Sequence, residues 1–364
     1  MNDKPILFGG VRWPVRRRLA EGTNPHPHGG TDRGEVLNNG HRAREAGGEG
    51  VVMNRTKIEW AEAVWNPVTG CTPVSEGCRN CYARRMARRL AGRCGYPAVL
   101  RPPAGADEPF RVMLHEDRLV EPLRWRKPRR VFVCSMGDLF HEAVPWEAIN
   151  KVWTVAHVCA HKFLFLTKRP ARMLEFFRDQ HHSWAAMTGP DVPPSNCWLG
   201  VSVEDQASAD ERIPLLLQTP AAIRFVSVEP MLGPVNIKGY LDGSIRWSIR
   251  TNATRLDWVI GGGETGLGAR PMHIDWVRSL RDQCAAAHVP FFFKQWGEWQ
   301  PVHGTGRTTG DEEEEVRPFR WLAVGGTARD SGCPPDALML RVGRKRAGRE
   351  LDGRTWDEFP KDKR

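Results

Sequence analysis

The chain of 364 residues lacks the features that place a protein in a membrane or a secretion pathway. No apolar run approaches the roughly 20 residues that a membrane-spanning helix needs, and the N-terminus has no apolar signal-peptide core. We therefore expect a cytoplasmic protein with no membrane partner. The chain has nine cysteines. In a reducing cytosol, closely spaced cysteines more often bind metal or do chemistry than form disulfides.

The composition is that of a soluble globular protein, with 40% apolar and 26% charged residues. The length suffices for one large α/β domain or two ordinary ones. The formal net charge of +10 favours an anionic partner such as nucleic acid. Composition alone therefore leaves both an enzyme and a nucleic-acid-binding protein open.

The N-terminal region differs in composition from the rest. Residues 1–52 are rich in Gly, Arg, Asn and His without a sustained hydrophobic period, which predicts disorder. Ordered-looking sequence begins at Met53, and we expect natural translation to begin there. Three segments are thus predicted: a disordered extension (1–52), a barrel domain (53–300), and a loop with a C-terminal tail that packs on the barrel (301–364). Trp356 and Phe359 are the predicted contacts of that tail.

Short apolar runs alternate with segments of helical spacing. The predicted strands are 131–135, 163–167, 198–203, 224–228, 257–261 and 290–294, with a further one near 58–64. The predicted helices are 146–161, 170–180, 205–217 and 273–287. Continuous apolar runs of this length are typical of strands buried on both faces. The alternation predicts an α/β fold with a parallel (β/α) TIM-like barrel, full or partial, and a doubly wound open sheet is the alternative.

Three cysteines, Cys71, Cys78 and Cys81, lie within residues 70–82, which we call the cysteine loop. Three thiolates at this spacing can hold one face of a metal centre and leave a coordination position open. A closed zinc site needs a fourth protein ligand, and no further cysteine or histidine lies close in sequence. Three thiolates suffice for a [4Fe–4S] cluster with one free iron. Iron–sulfur and zinc both stay open at this point.

Polar, charged or glycine residues follow the predicted strands, where a parallel barrel gathers its functional groups. In chain order they are Gly137, Asp138, Lys168, Arg169, Ser202, Glu204, Glu229, Gly261, Gly262, Gly263, Glu264 and Lys294. Six such strand ends beside one cysteine loop predict a functional site. The glycines do not form a dinucleotide fingerprint. Close approach of a ligand or a tight strand-to-helix turn accounts for them equally well.

Four arginines follow the last cysteine of the loop. At helical spacing, Arg84 and Arg88 share one face, as do Arg85 and Arg89. This pattern predicts an anion-binding surface for phosphate or carboxylate, as in nucleic acid. A solvated basic helix face is the alternative.

A series of short motifs in fixed order between about residues 55 and 300 resembles one known family. They include Thr56-Lys57-Ile58-Glu59-Trp60, Gly77-Cys78, Ser135-Met136-Gly137-Asp138, Thr167-Lys168-Arg169-Pro170, Gly200-Val201-Ser202-Val203-Glu204 and Lys294-Gln295-Trp296-Gly297. The chain resembles a phage-type three-cysteine-motif family of unassigned function, which itself resembles radical S-adenosylmethionine enzymes. The usual loop of those enzymes is C-x3-C-x2-C with an aromatic residue before the last cysteine. Here the first gap is six residues and Asn80 takes the aromatic position.

The resemblance implies two cofactors and a set of roles. A [4Fe–4S] cluster on the three cysteines would cleave S-adenosylmethionine to a 5′-deoxyadenosyl radical. Gly137 and Asp138 would hold the methionine amino group, Ser202 and Glu204 the ribose, and the backbone of Gly261, Gly262 and Gly263 would border the adenine. Lys168, Arg169 and Lys294 would be anion clamps, and Glu204, Glu229 and Glu264 polar or acid–base groups.

Three functions therefore stay open. The first is a radical S-adenosylmethionine-type enzyme, phage-related and acting on nucleic acid. The second is a non-enzymatic, zinc-stabilised nucleic-acid-binding protein, which predicts a colourless protein with bound zinc. The third is an iron–sulfur protein that does not bind S-adenosylmethionine. Nucleic acid and a protein encoded by a neighbouring gene are the candidate partners.

Overall fold

The computed structural model describes residues 6–8, 11–13, 56–98, 108–178, 194–245, 255–302, 319–322 and 337–361. The chain divides into two compact units, Met1–Val51 and Val52–Arg364. In the first unit, strands β1 (Ile6–Phe8) and β2 (Val11–Trp13) pair antiparallel. The predicted disorder of residues 1–52 and the start at Met53 otherwise lie outside the described residues and stay predictions.

The described part of the second unit alternates strands and helices. Its strands are β3 (Ala63–Trp65), β4 (Val68–Thr69), β5 (Met113–Leu114), β6 (Arg130–Val133), β7 (Lys162–Thr167), β8 (Cys197–Val203), β9 (Ile223–Val228), β10 (Trp258–Gly262), β11 (Phe291–Gln295), β12 (Trp299–Pro301), β13 (Phe319–Leu322) and β14 (Ala337–Arg341). Its helices are α1 (Tyr82–Arg89), α2 (Trp146–Val158), α3 (Pro170–Arg178), α4 (Gln206–Gln218), α5 (Lys238–Leu241), α6 (Ile274–Ala286) and α7 (Arg344–Ala347).

Seven strands form one parallel sheet in the order β3-β6-β7-β8-β9-β10-β11. Each of these strands pairs with the next strand of the sheet along the chain, and β4 and β5 form a separate antiparallel pair. A doubly wound sheet would reverse its order at a switch point, so that alternative is wrong. Among the described residues the end strands β3 and β11 do not pair with each other. The sheet is a half-barrel, which confirms the partial form of the predicted barrel.

Local sequence signals explain where the helices begin. Asp205 caps α4 by accepting from the Ser208 backbone N–H at 2.9 Å, and Ser208 bonds back in a capping box. Proline at position 145 precedes α2, since its fixed backbone suits a helix start. On the covered face of α2, Trp153 packs 5.2 Å from the Phe165 ring of β7. Helix and strand thus bury their apolar faces against each other.

The sheet separates two hydrophobic cores, because successive side chains of a strand point to opposite faces. The larger core lies between the sheet and its helices and includes Phe163, Phe165, Leu199, Val201 and Val226. The smaller one, which we call the inner apolar cluster, lies on the other face. Its members are Trp60, Ala61, Phe132, Leu164, Trp198, Ile223, Phe225, Trp258, Ile260 and Phe292. Strands buried on both faces explain why their sequences are continuous apolar runs.

The C-terminal tail closes the inner apolar cluster. Phe359 packs 5.3 Å from the Trp258 ring and 5.4 Å from the Phe292 ring. Trp356 packs on the other core, 6.1 Å from Phe291, and its carbonyl accepts from the Phe293 N–H at 2.9 Å. Both predicted tail residues therefore contact the half-barrel. The antiparallel sheet β12-β14-β13, which the sequence analysis did not predict, lies in the same region of the chain.

The cysteines outside the loop are structural where they are buried. Cys134, Cys197 and Cys284 are buried, whereas Cys159 follows the end of α2 and is half-buried. Among the described residues, no helix is long and apolar enough to cross a membrane.

Candidate metal centre and sheet mouth

The cysteine loop begins at the carboxyl edge of the parallel sheet. Gly70 forms a parallel bridge with Gly137, which follows β6, and its N–H donates to the Met136 carbonyl at 2.9 Å. Gly70 has a φ of 85°, and a Cβ there would lie 1.9 Å from the Arg111 carbonyl oxygen. Glycine is therefore required at this position. The connection places the three cysteines at the edge where the predicted strand-end residues lie.

Within the loop, a short 3₁₀ turn and a helix start hold the last two cysteines. Glu76–Cys78 forms the turn, and the Cys78 N–H donates to the Ser75 carbonyl at 2.9 Å. Cys81 is the N-cap residue of α1. Its thiol therefore lies beside the first turn of α1.

Arg169 connects the loop to the mouth of the sheet. Its Nη1 donates to the Cys71 sulfur at 3.3 Å and its Nη2 to the Thr72 carbonyl at 3.2 Å. Nη1 also lies 3.4 Å from the Asp138 carboxylate, and Nε donates to Glu142 at 2.9 Å. Sequence reasoning placed Arg169 and Asp138 at neighbouring strand ends, and the structure brings them into contact with each other and Arg169 into contact with Cys71.

The predicted cofactor ligand Asp138 is buried and already has several donors. It accepts from the Thr167 hydroxyl at 2.8 and 2.9 Å, from the Lys168 N–H at 3.2 Å and from the Phe140 N–H at 3.0 Å. These bonds tie the end of β6 to the end of β7. A role of Gly137 and Asp138 at a methionine amino group stays a prediction.

Glu204 is the centre of a buried charge cluster at the mouth. The carboxylate is 2% exposed and accepts from Lys168 Nζ and from Arg212 Nη1, the latter at 3.1 Å. It also accepts from the Ser75 hydroxyl of the cysteine loop at 3.0 Å. A Cβ at Gly77 would lie 2.5 Å from this carboxylate, so the loop backbone packs directly on it. Glu204 therefore supports the loop between Cys71 and Cys78.

Glu264 fixes the other side of the loop. It accepts from Asn80 Nδ2 at 3.0 Å and from Arg270 Nη2 at 2.6 Å, and Arg270 also donates to the Glu76 carbonyl at 2.9 Å. Burial raises the pKa of Glu264, but the hydrogen bonds from Arg270 and Asn80 outweigh it and lower that pKa. Glu264 is therefore a charged anchor in this structure, and an acid–base role stays a prediction.

Glu229 and Lys294 form a second pair on the inner face. Lys294 Nζ lies 3.1 Å from the Glu229 carboxylate, and the Ser227 hydroxyl donates to it at 3.0 Å. Both side chains keep some exposure, 13% for Glu229 and 20% for Lys294. Together with Lys168, Glu204, Ser202 and Ser227 they form what we call the charged mouth. The predicted strand-end residues are thus gathered at one edge of the sheet.

The glycine run 261–263 ends β10 and includes one position where the protein itself requires glycine. A Cβ at Gly262 would lie 2.6 Å from a Glu229 oxygen, and one at Gly263 would lie 2.0 Å from the Trp296 carbonyl oxygen. At Gly261 a Cβ would meet Leu280 at 3.4 Å. The backbone contact requires glycine at position 263, directly after β10, whereas the contacts at the other two positions are with side chains. Contact of this backbone with adenine stays a prediction.

The thiols lie among cations, and their pKa values differ. Burial and the charge of Asp138 raise the pKa of Cys71 to about 12, despite the opposing effect of Arg169. Burial also raises the pKa of Cys78, but hydrogen bonds from the loop backbone and the charge of Lys168 outweigh it, so the net shift is downward. Burial lowers the pKa of Lys168 to about 8, although Cys78 opposes the shift.

The loop supplies three thiols of the kind that an iron–sulfur cluster or a zinc ion takes as ligands. Within the described residues, no three Cys, His, Asp or Glu side chains converge to hold one metal ion. Ligands of a mononuclear zinc must all lie about 2.3 Å or less from one point. A [4Fe–4S] cluster takes each thiolate on a different iron. Three half-buried thiols beside Lys168 and Arg169 suit such an anionic group.

The arginines of α1 have different surroundings. Arg85 donates to the Thr265 carbonyl at 2.8 Å and so attaches the helix to the segment after β10. Arg84 lies over the Phe110 ring, 6.0 Å from its centroid. Arg88 and Arg89 are exposed. Arg85 thus acts in packing, and anion binding by Arg88 and Arg89 stays a prediction.

Sequence reasoning missed the residues that hold the loop. These are Ser75, Asn80, Arg212 and Arg270, each of which contacts Glu204 or Glu264. The hydrogen bonds from Ser75 and Asn80 span 129 and 184 positions. Contacts of this separation leave no periodic signal in one sequence. Arg212, an arginine buried on the covered face of α4, was the one local sign available.

Comparison with known proteins places the chain in a family. The sequence model of DUF5131, described as a protein of unknown function, matches residues 55–360, and the chain belongs to this family. The matched motifs are thus those of a family of unknown function, and its phage-type three-cysteine character stays a prediction. A search of curated proteins found no match.

Solved structures of spore photoproduct lyase show a distant likeness. A cysteine-to-serine variant is 11% identical with a TM-score of 0.38, covering 80% of this chain and 72% of the other. A variant with bound AdoMet and dinucleoside spore photoproduct gives the same values. A complex with dinucleoside spore photoproduct has a TM-score of 0.36 at 11% identity, covering 82% and 73%.

Proposed function

We propose that the protein is a radical S-adenosylmethionine-type iron–sulfur enzyme. The observation that carries this proposal is the position of the cysteine loop, which lies at the mouth of a parallel half-barrel beside a cluster of charged strand-end residues. Functional groups of parallel barrels gather at this edge. The loop offers three thiols and no further cysteine, which suits a cluster with one open iron.

In this proposal the residues of the mouth have separate roles as cluster ligands and as supports of the cysteine loop. Cys71, Cys78 and Cys81 would hold the cluster, which when bound supplies the electron that cleaves S-adenosylmethionine. Glu204 and Glu264 hold the loop in place through Ser75 and Asn80. Deeper in the half-barrel, the inner apolar cluster excludes water from below the mouth.

Several groups of the mouth remain able to meet a ligand. Glu229 and Lys294 are partly exposed, whereas Ser202 and Ser227 are buried. In our proposal Glu229 and Lys294 orient the polar groups of the cofactor or substrate. Lys168 supplies positive charge between Glu204 and the thiols of Cys78 and Cys81.

The test is anaerobic reconstitution with iron and sulfide, followed by EPR of the reduced protein with and without S-adenosylmethionine. We expect a [4Fe–4S]⁺ signal that changes when the cofactor is added, and release of 5′-deoxyadenosine. A cluster signal that does not respond to the cofactor would instead favour a structural or redox-sensing protein. Stoichiometric zinc without any cluster would contradict the proposal.

We further propose a nucleic-acid substrate and a phage-related role. The net charge of +10 and the exposed Arg88 and Arg89 beside the cysteine loop support this substrate class. The backbone of nucleic acid is bound mainly by such cations, and the binding weakens steeply with salt. A protein encoded by a neighbouring gene is the candidate protein partner.

Nucleic-acid binding is tested by fluorescence anisotropy with labelled single-stranded and double-stranded oligonucleotides at low and physiological salt. We expect affinity to fall with salt and to fall further, by about tenfold, in an Arg88→Gln/Arg89→Gln variant, since about two phosphate contacts are lost. The matched control is Lys345→Gln/Arg346→Gln, two exposed basic residues of α7. Equal affinities for both variants and the natural protein would contradict the predicted surface.

A further inference from the structure

The environment of Arg169 is unusual for a substrate-binding arginine, because its donors are all directed to protein atoms. A guanidinium has five N–H donors. Nε donates to Glu142, Nη1 to Cys71 and Asp138, and Nη2 to the carbonyl and hydroxyl oxygens of Thr72. The residue is 6% exposed. These contacts leave no donor for the anion clamp that the sequence predicted.

We propose that Arg169 is a positioning residue that donates a charge-assisted hydrogen bond to the Cys71 sulfur and raises the reduction potential of the cluster bound there. The inference rests on the proposed function, since it needs a cluster on Cys71. Hydrogen bonds to ligand sulfurs and nearby net charge both set such potentials. Reduction adds a negative charge to the cluster, and a cation at its ligand stabilises the reduced form.

The neighbours of Arg169 fix its direction. Its backbone N–H donates to the Thr167 hydroxyl at 2.9 Å, and Pro170 begins α3 directly after it. Its two Thr72 contacts hold the residue that follows Cys71 in the loop. Arg169 therefore fixes both the sulfur and the adjacent backbone. Lysine has no planar fork of donors and cannot make these contacts together.

Two carboxylates compete with the thiolate for this cation. The buried carboxylate of Asp138 lies 3.4 Å from Arg169 Nη1. The Glu142 side chain is 65% exposed, and each of its two oxygens lies 2.9 Å from Arg169 Nε. Removing the charge of Glu142 leaves more of the arginine's positive charge acting on the sulfur. Arg169→Gln and Glu142→Gln therefore predict shifts of opposite sign, whereas a merely structural role of Arg169 predicts no shift in a variant that keeps its cluster.

The experiment is a redox titration of the reconstituted cluster, followed by EPR in the absence of S-adenosylmethionine, with iron and sulfide content measured in parallel. The variants are Arg169→Gln, Arg169→Lys and Glu142→Gln. The control is Arg172→Gln, an arginine in the first turn of α3 whose hydrogen bonds to described residues go to the Glu142 and Val144 carbonyls and not to the loop.

We expect Arg169→Gln to make reduction about tenfold less favourable, which is about 59 mV for one electron. Arg169→Lys shifts the potential less in the same direction, Glu142→Gln shifts it upward, and Arg172→Gln leaves it unchanged. If Arg169→Gln retains no iron, Arg169→Lys and Glu142→Gln decide the question.

Unchanged potentials in Arg169→Lys and Glu142→Gln, with full iron content, would overturn the inference while leaving the proposed function intact. Absence of any cluster in the natural protein would instead overturn the proposed function. The two failures are thus separate results.

Discussion

The inner face of the half-barrel has two halves of opposite character. Towards the amino ends of the strands lie the aromatic and aliphatic side chains of the inner apolar cluster, closed by Phe359. Towards the carboxyl ends lie the charged mouth and the cysteine loop. The same strands supply both halves, because every second residue faces inward. A single strand such as β8 therefore carries both Trp198 and Ser202.

The comparison teaches how this fold separates stability from chemistry. In the apolar half, ring contacts such as Trp60–Phe132 at 4.7 Å carry the packing. In the mouth, buried charges such as Glu204 form ion pairs with Lys168 and Arg212. A buried charge that loses its partner lowers stability. We therefore expect substitutions in the apolar half to change stability alone, and substitutions in the mouth to change cluster binding as well.

The largest effect on stability is predicted for the apolar half. Trp258 is fully buried and contacts Trp60, Trp198, Phe225 and Phe359. Trp258→Ala should lower the free energy of unfolding by about 3–5 kcal/mol because it leaves a large cavity. Chemical denaturation measures this loss. The reduction potential of the cluster in the folded variant should stay unchanged. A shifted potential would contradict the proposal that the apolar half affects stability alone.

A somewhat smaller loss of stability is predicted at the mouth. Glu204→Gln leaves Lys168 and Arg212 buried without their carboxylate, which should cost about 3 kcal/mol. Unlike Trp258→Ala, it should also reduce the iron retained after reconstitution, since the Ser75 contact weakens. Denaturation and iron content are measured together. Full iron content with the expected loss of stability would show that Glu204 does not support the loop.

The next prediction concerns Asn80, whose substitution should affect the cysteine loop more than the stability of the fold. Asn80 donates to Glu264 at 3.0 Å and to the Gly268 carbonyl at 2.6 Å. Asn80→Ala should cost only about 1 kcal/mol of stability but should speed the loss of iron to a chelator, because one anchor of the loop is gone. Leu267→Ala, at a side chain 87% exposed, is the control. Equal rates of iron loss in the two variants would contradict this prediction.

The smallest effect concerns the tail. Hydrogen bonds from Arg278 outweigh burial and, with those from Arg281, lower the pKa of Asp352 to about 2. Because the pKa of Asp352 is lower in the folded protein, its charge stabilises the fold at pH values above the ordinary pKa of 3.8. That contribution is lost as the pH falls towards 2. Asp352→Asn should therefore cost under about 1 kcal/mol at neutral pH.

This prediction is checked by unfolding both proteins across the acidic range. The difference between the natural protein and Asp352→Asn should shrink as the pH falls below about 4. A difference that persists at the lowest pH would mean that the two arginines do not act through the charge of Asp352.

The sequence predicted the sheet well because its strands are buried on both faces. Continuous apolar runs such as 163–167 and 224–228 coincide closely with β7 and β9. The first strand was harder, since the run near 58–64 overlaps Ala63–Trp65 only at its end. The sheet β12-β14-β13 was missed, because its strands are brought together by pairings across the tail and not by local periodicity.

The site was predictable in its composition but not in its connections. Parallel topology alone brings Asp138, Lys168, Glu204 and Glu229 to one edge, so their positions as strand ends sufficed. The ion pairs between them depend on side-chain packing. The position of Arg169 in the sequence does not reveal that its guanidinium donates to Glu142, Cys71 and Thr72.

The measurement that tests the central claim most directly is the iron and sulfide content of reconstituted cysteine variants. Cys71→Ala, Cys78→Ala and Cys81→Ala are compared with Cys94→Ala, an exposed cysteine outside the loop. The account predicts that each loop variant loses the cluster, whereas Cys94→Ala retains it with the natural EPR signal. A full cluster in Cys78→Ala, or its loss in Cys94→Ala alone, would contradict the assignment of the cysteine loop as the metal centre.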